Sequence, residues 1–195
     1  MLRRLYDWVL GWADTPYGTP MLFGVAFAES SFFPIPPDPL LMALAIGKPK
    51  RSLFYAFVCI AGSVLGGILG YYIGLGLWDL VSDFFFAYVP GFTHTNFALV
   101  QGKYSDNAFL SVFTAAFTPI PYKVFTIAGG VFRIQLATLV VASILGRGMR
   151  FVGVSLLVFY FGEPIRGFID RYFNLLTIVF TVLLVLGFVV IKMLA

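Results

Sequence analysis

Five ionisable side chains interrupt stretches that are otherwise apolar: Glu29, Asp38, Lys123, Arg147 and Arg150. Arg147 and Arg150, three residues apart, share one face of a helix, and a guanidinium suits bidentate contact with phosphate or carboxylate. Glu29 and Asp38 can take up protons as desolvation or basic neighbours dictate. The chemistry expected is anion binding by Lys123, Arg147 and Arg150, with proton coupling through Glu29 and Asp38. The alternative use of the same residues is a buried ion network in which the arginines merely pair with the acids. Nucleophilic and metal chemistry have little to work with. His94 is the only histidine and Cys59 the only cysteine, so zinc ligation, a disulfide and a Ser-His or Cys-His pair all lack members. No catalytic residue, metal or cofactor is expected, and the chain does not read as an enzyme.

The elements that must position these charges are set by composition. Of 195 residues 60% are hydrophobic, 18% aromatic and 11% charged, with mean hydropathy +0.94. Soluble domains are about 25% charged. A single domain of this length cannot hide 23 Phe and 10 Tyr, so the solvent is lipid. The net charge of +4 has no basic run beyond Lys48-Pro49-Lys50-Arg51, which suits anionic lipid headgroups rather than nucleic acid.

Uncharged stretches mark the spans. Ser52 to Trp78 has no ionisable group and would be about 40 Å long as a helix. Residues 134–162 are interrupted only by Arg147 and Arg150, and Tyr172 to Ile191 is uncharged. Spanning helices are therefore expected at 52–78, 134–162 and 172–194, with a connection at 79–106 that carries His94. Near the start, Leu5, Trp8, Val9 and Trp12 recur at helical spacing among charges, which predicts a helix at 2–13 lying in the membrane interface.

Two further apolar stretches are broken. Residues 15–47 contain Phe32-Phe33-Pro34-Ile35-Pro36-Pro37-Asp38-Pro39, and residues 107–132 contain Thr118-Pro119-Ile120-Pro121-Tyr122-Lys123. Proline lacks an amide donor and turns the preceding residue away from helix. Each stretch should be two short helices meeting at an elbow, formed by Pro34 and Pro36 in one and by Pro119 and Pro121 in the other. Bare backbone at membrane depth is tolerated only when buried in protein or lining a wet cavity.

A shift of 85 residues superimposes Phe32 on Phe117, Pro34-Ile35-Pro36 on Pro119-Ile120-Pro121, Ala43 on Ala128 and Lys48 on Arg133. Asp38 falls on Lys123, so the elbows carry opposite charges at one position. If both stretches are re-entrant, Arg3, Arg4, Lys48, Lys50, Arg51, Arg166 and Arg171 share a side against Lys103, Arg133 and Lys192, seven to three. If both cross, the division is five to five. The positive-inside rule favours the first arrangement and a cytoplasmic N-terminus. The expected fold is thus a single all-α integral membrane domain over 1–195. It has two opposed re-entrant helical hairpins, an inverted repeat that brings both elbows to the midplane, plus three spanning helices and the interfacial helix.

Gly62, Gly66, Gly70 and Gly74 recur at every fourth position with Gly67 beside them. Such a stripe lets helix backbones approach closely, either within the chain or in a homodimer. Glu29 with Phe-Phe-Pro-Ile-Pro-Pro-Asp, followed by the Gly62–Gly74 run and Tyr71-Tyr72, resembles the DedA family, also called the SNARE-associated or VTT-domain family, nearest its YqaA-like branch. The resemblance covers roughly residues 20 to 165. It implies proton-dependent transport or flipping of undecaprenyl phosphate or phospholipid in a bacterial inner membrane, or passive scrambling, with Glu29 and Asp38 as the family's acidic pair. Lys123 lies near the family's basic position after the second hairpin's proline. The family's other arginine, just before that proline, is missing, since residues 114–118 read Thr-Ala-Ala-Phe-Thr. Arg147 and Arg150 are expected to supply the lost positive charge. Rival expectations are a membrane organiser acting through protein partners, and an ion or metabolite channel.

Overall fold

A computed structural model describes residues 15–33, 35–89, 93–118 and 120–162. Within these the chain is all-helical, without a strand. Helix α1 spans Gly18–Ser31 and α2 Asp38–Gly47; a 3-10 turn at Pro49–Arg51 leads into α3, Ser52–Tyr88. Then come α4, His94–Asp106, α5, Ala108–Phe117, and α6, Tyr122–Val131. The last described helix, α7, is Leu136–Gly162. Pro49–Tyr88 and Leu136–Gly162 are long and apolar enough to cross a membrane. The expected interfacial helix at 2–13 and span at 172–194 lie outside the described residues, as do Pro34 and Pro119.

Both broken stretches divide at their prolines. The last amides of the first arm, on Phe32 and Phe33, both donate to Ala28 O, at 2.9 and 2.8 Å. Helix α2 begins with Pro37 at its N-cap and Pro39 in its first turn, where a missing N–H costs no hydrogen bond. In the second stretch Thr118 is extended, as a residue before proline prefers, and Pro121 is the N-cap of α6. The shift of 85 carries Asp38, which opens α2, to Lys123, beside the start of α6. It also carries Ser52, which opens α3, to 137, one residue into α7. The repeat is therefore one of elements as well as of letters.

Helix α3 does not stop at Trp78 but runs through Asp79 and Asp83 to Tyr88. No proline interrupts it before Pro90. Both aspartates are exposed, and Asp79 pairs with Arg133 at 3.1 Å, so neither charge costs the helix its continuity. Within the connection, α4 is capped by Thr93, whose side chain accepts from the Asn96 amide at 3.2 Å.

The glycine face of α3 sets the arrangement. A Cβ at Gly62 would lie 2.7 Å from Phe23 O, one at Gly66 would strike the carbonyl of Phe27, and one at Gly70 would lie 3.2 Å from Ser30 O. Helix α1 therefore runs parallel to the first half of α3. Along the second half, Gly67 faces the Tyr122 hydroxyl, Gly70 faces Thr126, Gly74 faces the Ile127 carbonyl, and Gly130 meets Tyr71. Helix α6 thus begins beside the point where α1 ends, near Gly70, the middle of α3. The hairpins come from opposite ends of α3 and meet elbow to elbow at its centre. The Thr126 hydroxyl lies 3.2 Å from Ser30 O, across that meeting.

At the far end α6 closes with Ile134 N donating to Gly129 O and Arg133 N to Gly130 O. Arg133 occupies the left-handed conformation, φ 55°, which glycine usually takes at such an end. Helix α7 then returns antiparallel to α3. Its entry is held by Tyr71, whose hydroxyl donates to Ile134 O at 2.8 Å. One apolar cluster packs the first hairpin around Leu22, Leu40, Leu41, Tyr55, Cys59 and Phe151. A second packs the other hairpin around Tyr71, Val112, Ala116, Tyr122 and Leu139.

Candidate functional site

Helix α7 passes between the two clusters, and its polar face meets the elbows there. Ser143, Arg147 and Arg150 lie at helical spacing four and three residues apart, which puts them on one face. Arg147 Nη2 donates to Glu29 Oε2 at 2.8 Å. Arg150 donates from Nε to Asp38 Oδ1 at 3.1 Å and from Nη2 to Asp38 Oδ2 at 2.8 Å. Its remaining nitrogen, Nη1, donates to the Thr118 carbonyl at 2.8 Å. Arg150 consequently joins the elbow of one hairpin to the elbow of the other.

The fold explains why each charge tolerates its position. Asp38 is the first residue of α2, where the helix dipole favours an anion. The Thr118 carbonyl caps the C-terminal end of α5, where the dipole favours a cation, and Arg150 supplies it. Glu29 sits in the last turn of α1, the wrong end for an anion, so it depends on Arg147 and on the Ser30 hydroxyl, which donates to Glu29 Oε2 at 3.1 Å.

Arg147 is 2% exposed. Its guanidinium carbon lies 4.3 Å from the centre of the Tyr122 ring and 5.5 Å from that of Phe151. The Tyr122 hydroxyl donates to Ser143 Oγ, and Ser143 donates to Leu139 O at 2.5 Å, so the ring under the guanidinium is fixed. Among the described residues Arg147 Nε, Ser63 Oγ and Ser155 Oγ are buried without a hydrogen-bond partner. Cys59, a turn before Ser63 on α3, is buried within electrostatic reach of Asp38, Arg147 and Glu29.

Of the five charged residues singled out in the sequence, the structure brings four together. Glu29, Asp38, Arg147 and Arg150 form one cluster of two ion pairs, the arrangement the ion-network reading describes; the functional reading requires only that the acids and bases lie together. Pro36 and Pro121 flank it, both exposed. Lys123 lies at the start of α6, half-buried, and among the described residues it forms no ion pair. His94 stands apart at the start of α4, stacked 3.7 Å from the Phe86 ring centre. The glycine stripe is filled by α1 and α6 of the same chain, so it is not free to face a second copy.

A protein of Haemophilus influenzae named "Uncharacterized protein" is 32% identical to this chain over 188 residues, 96% of each sequence. The chain belongs to that protein's family. "Uncharacterized protein HI0703 homolog" of Histophilus somni is also 32% identical, over 160 residues and 82% of each sequence. No family model and no solved structure matches the chain. At that coverage the family relationship spans both hairpins and α7, the elements that carry the charged cluster.

Sequence reasoning missed Tyr122, Ser143, Ser30 and the Thr118 carbonyl. Two of them left a signal. Tyr122 directly follows the second elbow, and Ser143 precedes Arg147 by one helical turn, the spacing that puts a side chain beside it. A backbone carbonyl has no residue-type signature, so Thr118 O could not be read from the letters.

Proposed function

We propose that the protein is an integral membrane transporter or flippase for an anionic lipid or phosphate-bearing substrate, coupled to protons. Its two broken stretches are read as re-entrant hairpins dipping from opposite leaflets, in the inner membrane of a bacterium. The observation that carries the proposal is the Arg150 guanidinium, which holds Asp38 of one elbow and the Thr118 carbonyl of the other. Charges are costly in hydrocarbon, roughly 2.5–3.5 kcal/mol each by insertion scales, and here they gather where two helix breaks meet. Discontinuous helices meeting at mid-membrane are the usual substrate sites of transporters with inverted repeats.

The resemblance to the DedA family supports the same reading. Its missing arginine before the second hairpin's proline has a counterpart in space, since Arg150 reaches the carbonyl of Thr118, the residue before Pro119. Lys123, Arg147 and Arg150 supply the positive field for phosphate, and Glu29 and Asp38 exchange protons against it. Protons and substrate then compete for the same cations, which couples their movement. The bacterial relatives fit the assigned membrane. The organiser reading has the glycine stripe and the 79–106 connection as its contact surface, and of these the stripe is covered within the chain.

Purified protein in liposomes should move a fluorescent phosphate-bearing lipid between leaflets. Arg150→Ala and Arg147→Ala should abolish that movement, and Glu29→Gln should flatten its pH dependence. Wild-type rates in both arginine variants at normal expression would remove the cluster from the mechanism. Ohmic conductance without saturation would favour a channel.

A further inference from the structure

We propose that Arg150, and not Arg147, releases its partner to take the substrate phosphate, and that Asp38 is a built-in mimic occupying that fork at rest. This rests on the anion-transport reading of the same cluster and divides its labour. The two ion pairs are not equivalent. Arg147 is 2% exposed, lies over the Tyr122 ring and keeps one hydrogen bond to Glu29. Tyr122 is itself held through Ser143 to Leu139 O. A ligand would have to unstack this assembly to reach the guanidinium.

Arg150 and Asp38 are each 19% exposed at the side chain, and among the described residues no aromatic ring lies over Arg150. Their contact is two-pronged, Nε to Oδ1 and Nη2 to Oδ2, at 3.1 and 2.8 Å. Two parallel N–H···O bonds are also the geometry in which a guanidinium takes two phosphate oxygens. A phosphate monoester carries about −1.5 to −2 at neutral pH, so it competes with a single carboxylate charge for this fork.

The exchange breaks no covalent bond and leaves Nη1 on the Thr118 carbonyl, so the second elbow keeps its tie to α7 while Asp38 alone is released from the first. The displaced Asp38 stays at the first position of α2, where the helix dipole favours its charge. Arg147 remains on Glu29 and Tyr122 throughout. It is a positioning residue, and Arg150 is the binding residue.

The test measures binding of inorganic phosphate and of dodecyl phosphate to the full chain in detergent. Asp38→Asn removes the competitor and should tighten binding about tenfold or more over wild type, because the free fork is no longer a minor population. Unchanged or weaker binding in a folded Asp38→Asn protein overturns the proposal. A second measurement needs no variant. Phenylglyoxal adducts mapped by mass spectrometry on the wild-type chain should appear at Arg150, be suppressed by either phosphate, and be absent at Arg147. Protection of Arg147 with Arg150 unaffected overturns it equally. Where Asp38→Asn tightens binding, binding of both ligands indicates that the headgroup suffices, and binding of dodecyl phosphate alone indicates a lipid; with that tightening, each supports the exchange. If neither ligand binds or protects any form, the transport reading falls with it. If both bind but Asp38→Asn changes nothing, only the division of labour falls.

Discussion

A guanidinium at 2% exposure persists only when its surroundings replace the water it has lost. Arg147 has Glu29 at one edge and two aromatic rings over its face. Removing one member of such a pair strands the other. Arg147→Ala should therefore cost about 3–5 kcal/mol, read as a lower unfolding temperature in detergent. Adding Glu29→Gln to that variant should recover a large part of the loss, because the stranded anion is gone. Simple addition of the two single losses would mean that the side chains do not act as a pair. Arg147→Lys is not a conservative change here, since an ammonium cannot stack flat on Tyr122.

At the level of the elements, the glycines of α3 divide into those that touch a helix and those that touch nothing. A Cβ at Gly66 collides with the Phe27 carbonyl, whereas one at Gly76 meets no atom within 4 Å. Gly66→Ala should push α1 off α3 at a cost of about 1–3 kcal/mol. Gly76→Ala should be neutral or stabilise by up to about 1 kcal/mol through helix propensity. Thermal unfolding of the two variants checks this, and equal effects would contradict the packing. The stripe was legible in the sequence because every fourth residue is glycine, but which helices fill it was not. That depends on α1 and α6 arriving end to end along one face, a contact between segments some 100 residues apart. The elbows were legible for a local reason, the proline pairs. The tail of α3 from Asp79 to Tyr88 was not, because two exposed aspartates look like a helix end when the Arg133 partner of Asp79 and the solvent around both are unseen. The ion cluster was legible as a set of residue types, and its pairing as an alternative. The choice of Glu29 for Arg147 and Asp38 for Arg150 needed the register of α7 against both hairpins.

For the whole molecule, the two hairpins have the same consequence from opposite directions. Each sends an arm to the middle of α3 and brings it back, so the ends of one hairpin lie together at one end of α3 and the ends of the other at the opposite end. In the proposed bilayer arrangement this places four charged groups from two helical hairpins and one long apolar helix around a shared site. Solvent accessibility of the hairpin ends tests that arrangement most directly. In a Cys59→Ser background, single cysteines at Tyr17 and Lys48 bracket the first hairpin, and single cysteines at Asn107 and Gln135 bracket the second. A membrane-impermeant maleimide should label Tyr17→Cys and Lys48→Cys from one side of sealed vesicles, and Asn107→Cys and Gln135→Cys only from the other. Labelling of Tyr17→Cys and Lys48→Cys from opposite sides would mean that the first stretch crosses the membrane, and the facing-hairpin account would be wrong.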